Sequence, residues 1–103
     1  MSENFLNIIK EAIKKIVPEA HIILYGSRAR HDHNSASDWD FLILLKEKPD
    51  IRKVAAIRDV LYDIELETGE IITIIIRDID DWNSTLYKTT GFYKNVMEDA
   101  IVI

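Results

Sequence analysis

The segment that decides the fold is Asp38-Trp39-Asp40-Phe41-Leu42-Ile43-Leu44-Leu45. It begins with polar residues and becomes continuously apolar, which is typical of a strand buried on both faces of a sheet. Successive side chains of a strand point to opposite faces, so Asp38 and Asp40 are expected on one face and Trp39 on the other. The segment therefore predicts a rigid central strand that begins with two carboxylates on one face.

The remaining apolar segments are assigned to helices or strands by the spacing of their apolar residues. The predicted helices are 4–16, 28–30, 51–67, a turn around Trp82 within 78–84, and one within 85–99. The predicted strands are 21–25, 71–77 and an edge strand at 100–103. Asp50 is a suitable N-cap for the helix at 51–67, and Gly69 follows its last turn. This alternation predicts an α/β (α+β) fold with a small mixed sheet and helices mainly on one face.

Length and composition restrict the class of protein. The chain has 103 residues, 48% of them apolar and 30% charged, which suits a single domain over 1–103 with one core. The lack of cysteine excludes disulfides and thiolate metal sites and is compatible with a cytoplasmic location. We expect no membrane span and no signal peptide, because the apolar runs are short. The net charge of −5 disfavours direct binding of nucleic acid, which needs a basic face.

A second informative feature is Gly26-Ser27, between the predicted strand at 21–25 and the short helix. Glycine lets a phosphate approach the backbone closely, and N–H groups at a helix N-terminus attract an anion. The Ser27 hydroxyl adds a donor, and Arg28 and Arg30 supply positive charge. Taken singly, these residues are more simply a turn and two surface cations. Together they predict a cradle for phosphates.

The two aspartates at the start of the central strand suggest a metal. Asp38 and Asp40 would repel each other on one face of a strand, and a bound cation relieves such repulsion. Hard cations such as Mg²⁺ or Mn²⁺ prefer oxygen ligands of this kind. A lone Asp-x-Asp is more often a solvated strand start, but here it opens a buried strand near the Gly-Ser turn. The combination predicts a divalent metal held beside the triphosphate of a nucleotide.

These motifs resemble the DNA polymerase β-like nucleotidyltransferase superfamily, whose signature is Gly-Ser, a polar gap, and then Asp-x-Asp. Segments 26–30 and 37–43 match that pattern, and segment 90–96 resembles a C-terminal segment of some small members. The likeness is greatest to the minimal nucleotidyltransferases, many of which are antitoxins encoded beside a HEPN-domain toxin. The resemblance implies a polymerase β-like nucleotidyltransferase fold. It also implies a reaction, the Mg²⁺- or Mn²⁺-dependent transfer of a nucleoside monophosphate from ATP or another nucleoside triphosphate to an acceptor hydroxyl.

The resemblance also implies roles for individual residues. Asp38 and Asp40 would be catalytic and would hold the metal. Nucleotide binding would fall to Gly26, Ser27, Arg28, Arg30 and Ser37. The implied protein partner, and the candidate acceptor, is a HEPN-domain toxin modified on a hydroxyl such as that of tyrosine.

The sequence departs from the family pattern at three positions. His31 stands where a glycine is common, and Gly91 stands where a proline is usual. The family also has a third carboxylate on a neighbouring strand. The matching strand here is 71–77, where Thr73 occupies the polar position and is the candidate third-site residue. Glu70 and Asp78, on either side of that strand, are alternative substitutes.

Two other interpretations follow from these departures and from the aromatic residues. Without a third carboxylate, the domain would be a catalytically impaired module that binds a nucleotide or a partner protein. The Asp-x-Asp could also be structural, in an interaction domain without a nucleotide.

Four aromatic residues could stack a base, although packing in the core is the simpler expectation; they are Trp82, Tyr87, Phe92 and Tyr93. The sequence leaves the oligomeric state open, a homo-oligomer included.

Overall fold

The computed structural model describes residues 2–103, which form six helices and four strands. The helices are α1 (Ser2–Ile16), α2 (Ser27–Arg30), α3 (Ile51–Thr68), α4 (Ile79–Trp82), α5 (Thr85–Lys88) and α6 (Gly91–Asp99). The strands are β1 (His21–Tyr25), β2 (Trp39–Leu45), β3 (Ile72–Asp78) and β4 (Ile101–Val102). The predicted helix within 85–99 is in fact two helices, α5 and α6.

The four strands form one mixed sheet in the order β3-β2-β1-β4. β2 is antiparallel to β1 and parallel to β3, and the short β4 is antiparallel to β1. A parallel pair needs a long crossover connection, and α3 supplies it between β2 and β3. The predicted position of β2 between β1 and β3 is confirmed, as is the mixed α/β class.

One face of the sheet carries the larger core, which α1 and α3 cover. The side chains of β2 that face this core are Trp39, Phe41, Ile43 and Leu45. All four are buried, as the continuous apolar run of β2 predicts. No helix within residues 2–103 is long and apolar enough to cross a lipid bilayer.

The opposite face of the sheet carries a smaller core, formed by Ile23, Leu42, Leu44, Trp82 and Val96. The short helices α4 and α6 supply Trp82 and Val96, and α5 packs at the edge of this core through Tyr87. The prediction of helices mainly on one face therefore holds for the two long helices. Short helices occupy the second face, so the sheet is covered on both sides.

Both predicted ends of α3 are confirmed. The Asp50 carboxylate accepts a hydrogen bond from the backbone N–H of Lys53, with an N–O distance of 2.8 Å. Gly69 follows the last turn with φ of 75°, and its N–H donates to the carbonyl of Glu65. An N-cap and a left-handed glycine thus fix the length of the crossover helix.

Trp82 is the centre of an aromatic cluster. Its ring centroid lies 5.1 Å from that of Tyr87, 6.0 Å from that of Phe92 and 4.8 Å from that of Tyr93. Only 2% of Trp82 is exposed. These contacts support packing as the role of this residue, because a buried ring cannot stack on a nucleotide base.

The outer edge of β3 has two of its backbone groups covered by side chains. The carbonyl of Ile71 accepts from Trp39 N–H, so the backbone groups of Ile71 point towards β2. Because the backbone groups of successive residues alternate in direction along a strand, those of Ile72 and Ile76 point away from β2. Glu65 accepts from Ile72 N–H at 2.8 Å, and Arg77 donates to the carbonyl of Ile76 at 2.8 Å. Covered groups of this kind hinder the addition of a further strand.

Candidate functional site

The site begins where β1 ends against the start of β2. Tyr25, the last residue of β1, is the cross-strand partner of Asp40. Gly26 follows with φ of 78° and ψ of −159°, a conformation that is almost restricted to glycine. A Cβ atom at this position would lie 2.5 Å from Oδ2 of Asp40. Glycine is therefore required twice, by the backbone and by the approach of the carboxylate.

The structure brings the two predicted carboxylates together at the beginning of β2. Asp38 immediately precedes the strand and is exposed, and Asp40 is half-buried. Trp39 and Phe41 belong to the larger core, so Asp40 projects from the opposite face. Burial, and then the charge of Asp38, raise the pKa of Asp40, while the charge of Arg30 lowers it. The negative charge is only partly compensated by the protein.

The donor set fits a cation that also binds phosphate. None of the ion pairs among residues 2–103 involves Asp38 or Asp40. In the same part of the chain no cluster of three or more His, Asp or Glu is arranged to hold a metal. Mg²⁺ is commonly held by one or two carboxylates together with substrate phosphates and water. Two carboxylates beside the Gly26-Ser27 turn match that mode of binding.

Ser27 is the first residue of α2 and is half-exposed beside Gly26. The N–H groups of Ala29 and Arg30 both donate to the carbonyl of Gly26, which closes the turn. A helix of four residues has little macrodipole to attract an anion. The predicted phosphate contact therefore depends on the backbone conformation at Gly26 and on the Ser27 hydroxyl. The dipole of the short helix contributes little to it.

Arg28 holds the loop between α2 and β2 in place. Its guanidinium lies 4.3 Å above the Trp39 ring and donates to the carbonyl of Ser37 at 3.0 Å. It also lies 3.5 Å from a carboxylate oxygen of Glu70, and only 9% of its side chain is exposed. The Ser37 hydroxyl accepts from Asn34 N–H. In the structure, Arg28 and Ser37 contact other protein atoms. Their contacts with a nucleotide stay predictions.

Arg30 links the same loop to the end of α6. Its Nε lies 3.0 Å from a carboxylate oxygen of Asp32, and its Nη1 lies 2.7 Å from one of Asp99. Arg30 is a permanent cation, as arginine is in proteins generally, and these bonds raise its pKa further. The N–H of Arg30 donates to the carbonyl of Gly26, which places Arg30 one turn from the glycine that contacts Asp40. The charge of Arg30 also lowers the pKa of Asp40.

Residues 6–103 match the family model described as a nucleotidyltransferase domain. The chain belongs to this family. A search of curated proteins gives no significant match. Among solved structures, the chain is similar to one described as a crystal structure of a toxin–antitoxin with AMP-PNP, with a TM-score of 0.66 and 16% identity. The similarity covers 93% of this chain and 69% of that chain, and at this identity it shows a shared fold.

The residue predicted at the third-carboxylate position is Thr73. Thr73 pairs with Asp40 across β2 and β3 and is exposed. Glu70 instead accepts from Trp39 Nε1 at 2.9 Å, on the side of the larger core. Asp78 pairs with Leu45 at the far end of the strands and caps α4. Neither alternative carboxylate lies beside Asp40 in the ladder, so the sheet places a threonine there.

His31 explains one departure from the family pattern. It has φ of 64° and ψ of 24°, the left-handed conformation that glycine adopts most easily. It follows α2 as its C-cap, and its N–H donates to the carbonyl of Ser27. The family glycine thus corresponds to a turn that this chain closes with a histidine, at some conformational cost.

Two residues that contact the predicted site residues were not themselves predicted from the sequence. Tyr25 pairs with Asp40 and its ring packs edge-on against Phe92, with centroids 6.1 Å apart. Burial, and then the charge of Asp40, raise the pKa of its hydroxyl. Strand alternation could have placed Tyr25 beside Asp40. Asp99 lies 69 positions from Arg30, and no local pattern in the sequence connects them.

Proposed function

We propose that this nucleotidyltransferase domain uses Mg²⁺ or Mn²⁺ to transfer a nucleoside monophosphate from ATP or another nucleoside triphosphate to a hydroxyl of a partner protein. The observation that carries the proposal is the approach of the Asp40 carboxylate to the backbone of Gly26, with Asp38 beside it. A carboxylate pair beside the Gly26-Ser27 turn is suited to hold a divalent cation that neutralises the phosphates of the substrate.

Each residue would have a distinct task. Asp38 and Asp40, both ionised, would hold the cation, which when bound neutralises phosphate charge and polarises the reacting phosphoryl group. Gly26 leaves room for the Asp40 carboxylate, and the backbone N–H and hydroxyl of Ser27 would donate to the β- and γ-phosphates. Arg30 contributes positive charge as the pyrophosphate leaves. Catalysis would thus depend on positioning and electrostatics.

The acceptor must bring part of the chemistry with it. Thr73 is the partner of Asp40 on β3, and the family resemblance implies a third carboxylate at this position as general base. A threonine hydroxyl does not accept protons near neutral pH. An acidic hydroxyl such as that of tyrosine, or a carboxylate from the partner, would supply the missing function. The shared fold with a chain of a toxin–antitoxin supports a protein partner. We propose a HEPN-domain toxin in the cytoplasm, with this domain as its antitoxin.

The second candidate function is a nucleotide-binding module that neutralises its partner by contact alone. The position of Thr73 beside Asp40, with Glu70 and Asp78 engaged elsewhere, favours this alternative. Both candidates require Mg²⁺-dependent nucleotide binding, so only a measurement of transfer separates them.

The deciding experiment incubates the purified domain with α-labelled ATP and Mg²⁺, with and without the protein encoded by the neighbouring gene. We expect label on that partner only, pyrophosphate release, and loss of both with Asp40→Asn. Mg²⁺-dependent ATP binding without transfer would establish the binding module. The absence of any nucleotide binding would reject both candidates in favour of a structural Asp-x-Asp.

Thr73→Asp tests the assignment of the third position. Adding a carboxylate beside Asp40 should increase Mg²⁺ affinity and the rate of transfer, because it supplies a further oxygen ligand and a base. Thr73→Asn is the matched control, because an asparagine side chain has the shape of aspartate without its charge. A Thr73→Asp variant that abolishes existing activity would show that the position is assigned wrongly.

A further inference from the structure

The last helix ends with an acidic residue whose position needs an explanation. Asp99 is the final residue of α6, and the last turn of that helix contains no basic residue. Negative charge at a helix C-terminus is unfavourable, because the macrodipole is already negative there. Asp99 therefore does not stabilise its own helix. Its side chain is only 14% exposed and points to Arg30.

Arg30 is bound on two sides by carboxylates from different parts of the chain. Asp32 accepts from its Nε, and Asp99 accepts from its Nη1. Among residues 2–103, no hydrogen bond involves its remaining nitrogen, Nη2. The guanidinium is a planar fork, so two fixed nitrogens also fix the direction of the third.

Asp99 is the better anchored of these two carboxylates. The side chain of Asp32 is 58% exposed, against 14% for that of Asp99. Asp99 is attached to α6, which packs on the sheet through the buried residue Val96. The Arg30 side chain itself is 48% exposed and would otherwise sample many rotamers. The contact with Asp99 therefore removes conformational freedom before any ligand binds.

We infer that Asp99 is a positioning residue, which holds Arg30 with Nη2 directed at the phosphates of a nucleotide bound beside Asp38 and Asp40. The inference rests on the proposed function and adds the C-terminal helix to the triphosphate site. Asp99 acts through Arg30 and does not itself touch the ligand.

The sign of one mutational effect separates positioning from simple electrostatics. Asp99→Asn removes a negative charge near an anion site, which alone would strengthen triphosphate binding. Loss of positioning would weaken it. Glu98→Gln makes the same charge change one residue earlier, on an exposed side chain that has no bond to Arg30. It is therefore the matched control.

The experiment measures Mg²⁺-dependent binding of ATP and of AMP by calorimetry to the whole chain. We expect Asp99→Asn to weaken ATP binding about fivefold and to leave AMP binding unchanged, because AMP lacks the β- and γ-phosphates. Glu98→Gln should bind ATP at least as well as the unmodified chain. Asp99→Glu should restore part of the affinity. If part of a variant is unfolded, the measured binding stoichiometry falls, but the ratio of the ATP and AMP affinities does not change. That ratio therefore separates a loss of positioning from a loss of folded protein.

A double-mutant cycle with Arg30→Gln tests whether Asp99 acts through the arginine. In the Arg30→Gln background, Asp99→Asn should cause no further loss of ATP affinity. Equal ATP affinities for Asp99→Asn and Glu98→Gln, or additive losses in the cycle, would overturn the inference while leaving the proposed function intact. If the unmodified chain binds no Mg-ATP, the proposed function fails and the inference fails with it.

Discussion

Gly26 is constrained by its backbone and by a neighbouring carboxylate, and the two constraints can be measured separately. Gly69 has a similar φ of 75° with nothing within 4 Å of an added Cβ, whereas an alanine at 26 would also collide with Asp40. We expect Gly69→Ala to lower the free energy of unfolding by about 1 kcal/mol and to keep Mg-ATP binding. Gly26→Ala should cost about 1–3 kcal/mol and abolish that binding. Denaturant titration and calorimetry on both variants test this, and equal ligand affinities would contradict it.

At Asp40, stability and function are expected to oppose each other. Its pKa in the folded protein is raised, so the ionised carboxylate destabilises the native state at pH values above that pKa. Asp40→Asn should therefore raise the melting temperature at pH 7 in metal-free buffer. The gain should vanish at acid pH, where the native and unfolded forms of the unmodified chain are both protonated. Under the proposed function Mg-ATP stabilises the unmodified chain, and the same variant should lose that stabilisation.

Asp59→Asn, on the exposed side of α3, is the control for the Asp40 variant. It makes the same chemical change on the helix that covers the other face of the sheet from Asp40, and it should alter neither the pH dependence nor the response to Mg-ATP. A melting temperature of Asp40→Asn that falls at pH 7, or that still rises with Mg-ATP, would contradict the assignment of Asp40.

At the scale of single elements, β3 shows how side chains protect a strand edge. Glu65→Ala removes the acceptor that covers Ile72 N–H, and Arg77→Ala uncovers the carbonyl of Ile76. We expect the double variant to self-associate more than the unmodified chain, because its isoleucine-rich edge then offers unpaired backbone groups. Light scattering over a range of concentrations measures this. Glu65→Gln keeps an oxygen acceptor and should behave like the unmodified chain, and an unchanged double variant would refute the protective role.

The elements differ in how well their sequence predicts them. β2 and α3 are predicted closely, because a continuous apolar run and a capped amphipathic pattern each determine one structure. The break between α5 and α6 is missed. In the structure Thr90 caps α6 by accepting from Tyr93 N–H. The sequence does not show this break, because the polar Thr-Thr-Gly segment can also be interpreted as the exposed face of one continuous helix. The pairing of Asp99 with Arg30 depends on tertiary packing alone, so no sequence pattern indicates it.

At the scale of the whole molecule, β2 belongs to both cores. Its odd-numbered residues face α1 and α3, and its even-numbered apolar residues face Trp82 and Val96. Ile57→Ala would leave a cavity in the larger core at a cost of about 2–5 kcal/mol, and Trp82→Ala would leave one in the smaller core at a cost of about 3–5 kcal/mol. Since the two cores share a strand, we expect each variant to unfold in one transition at lower temperature. Calorimetry gives the test, and a separate transition for the smaller core would contradict it.

The shortest strand has a consequence for the motion of the chain. β4 pairs with β1 at only Ile23–Val102 and Leu24–Ile101, with one further bond from Ile103 N–H to the carbonyl of Ile22. Local opening of so short a strand costs much less free energy than global unfolding. Its amide hydrogens should therefore exchange with solvent deuterium well before those of β2. Opening would also release the end of α6, so a nucleotide bound at the proposed site should slow exchange at the C-terminus.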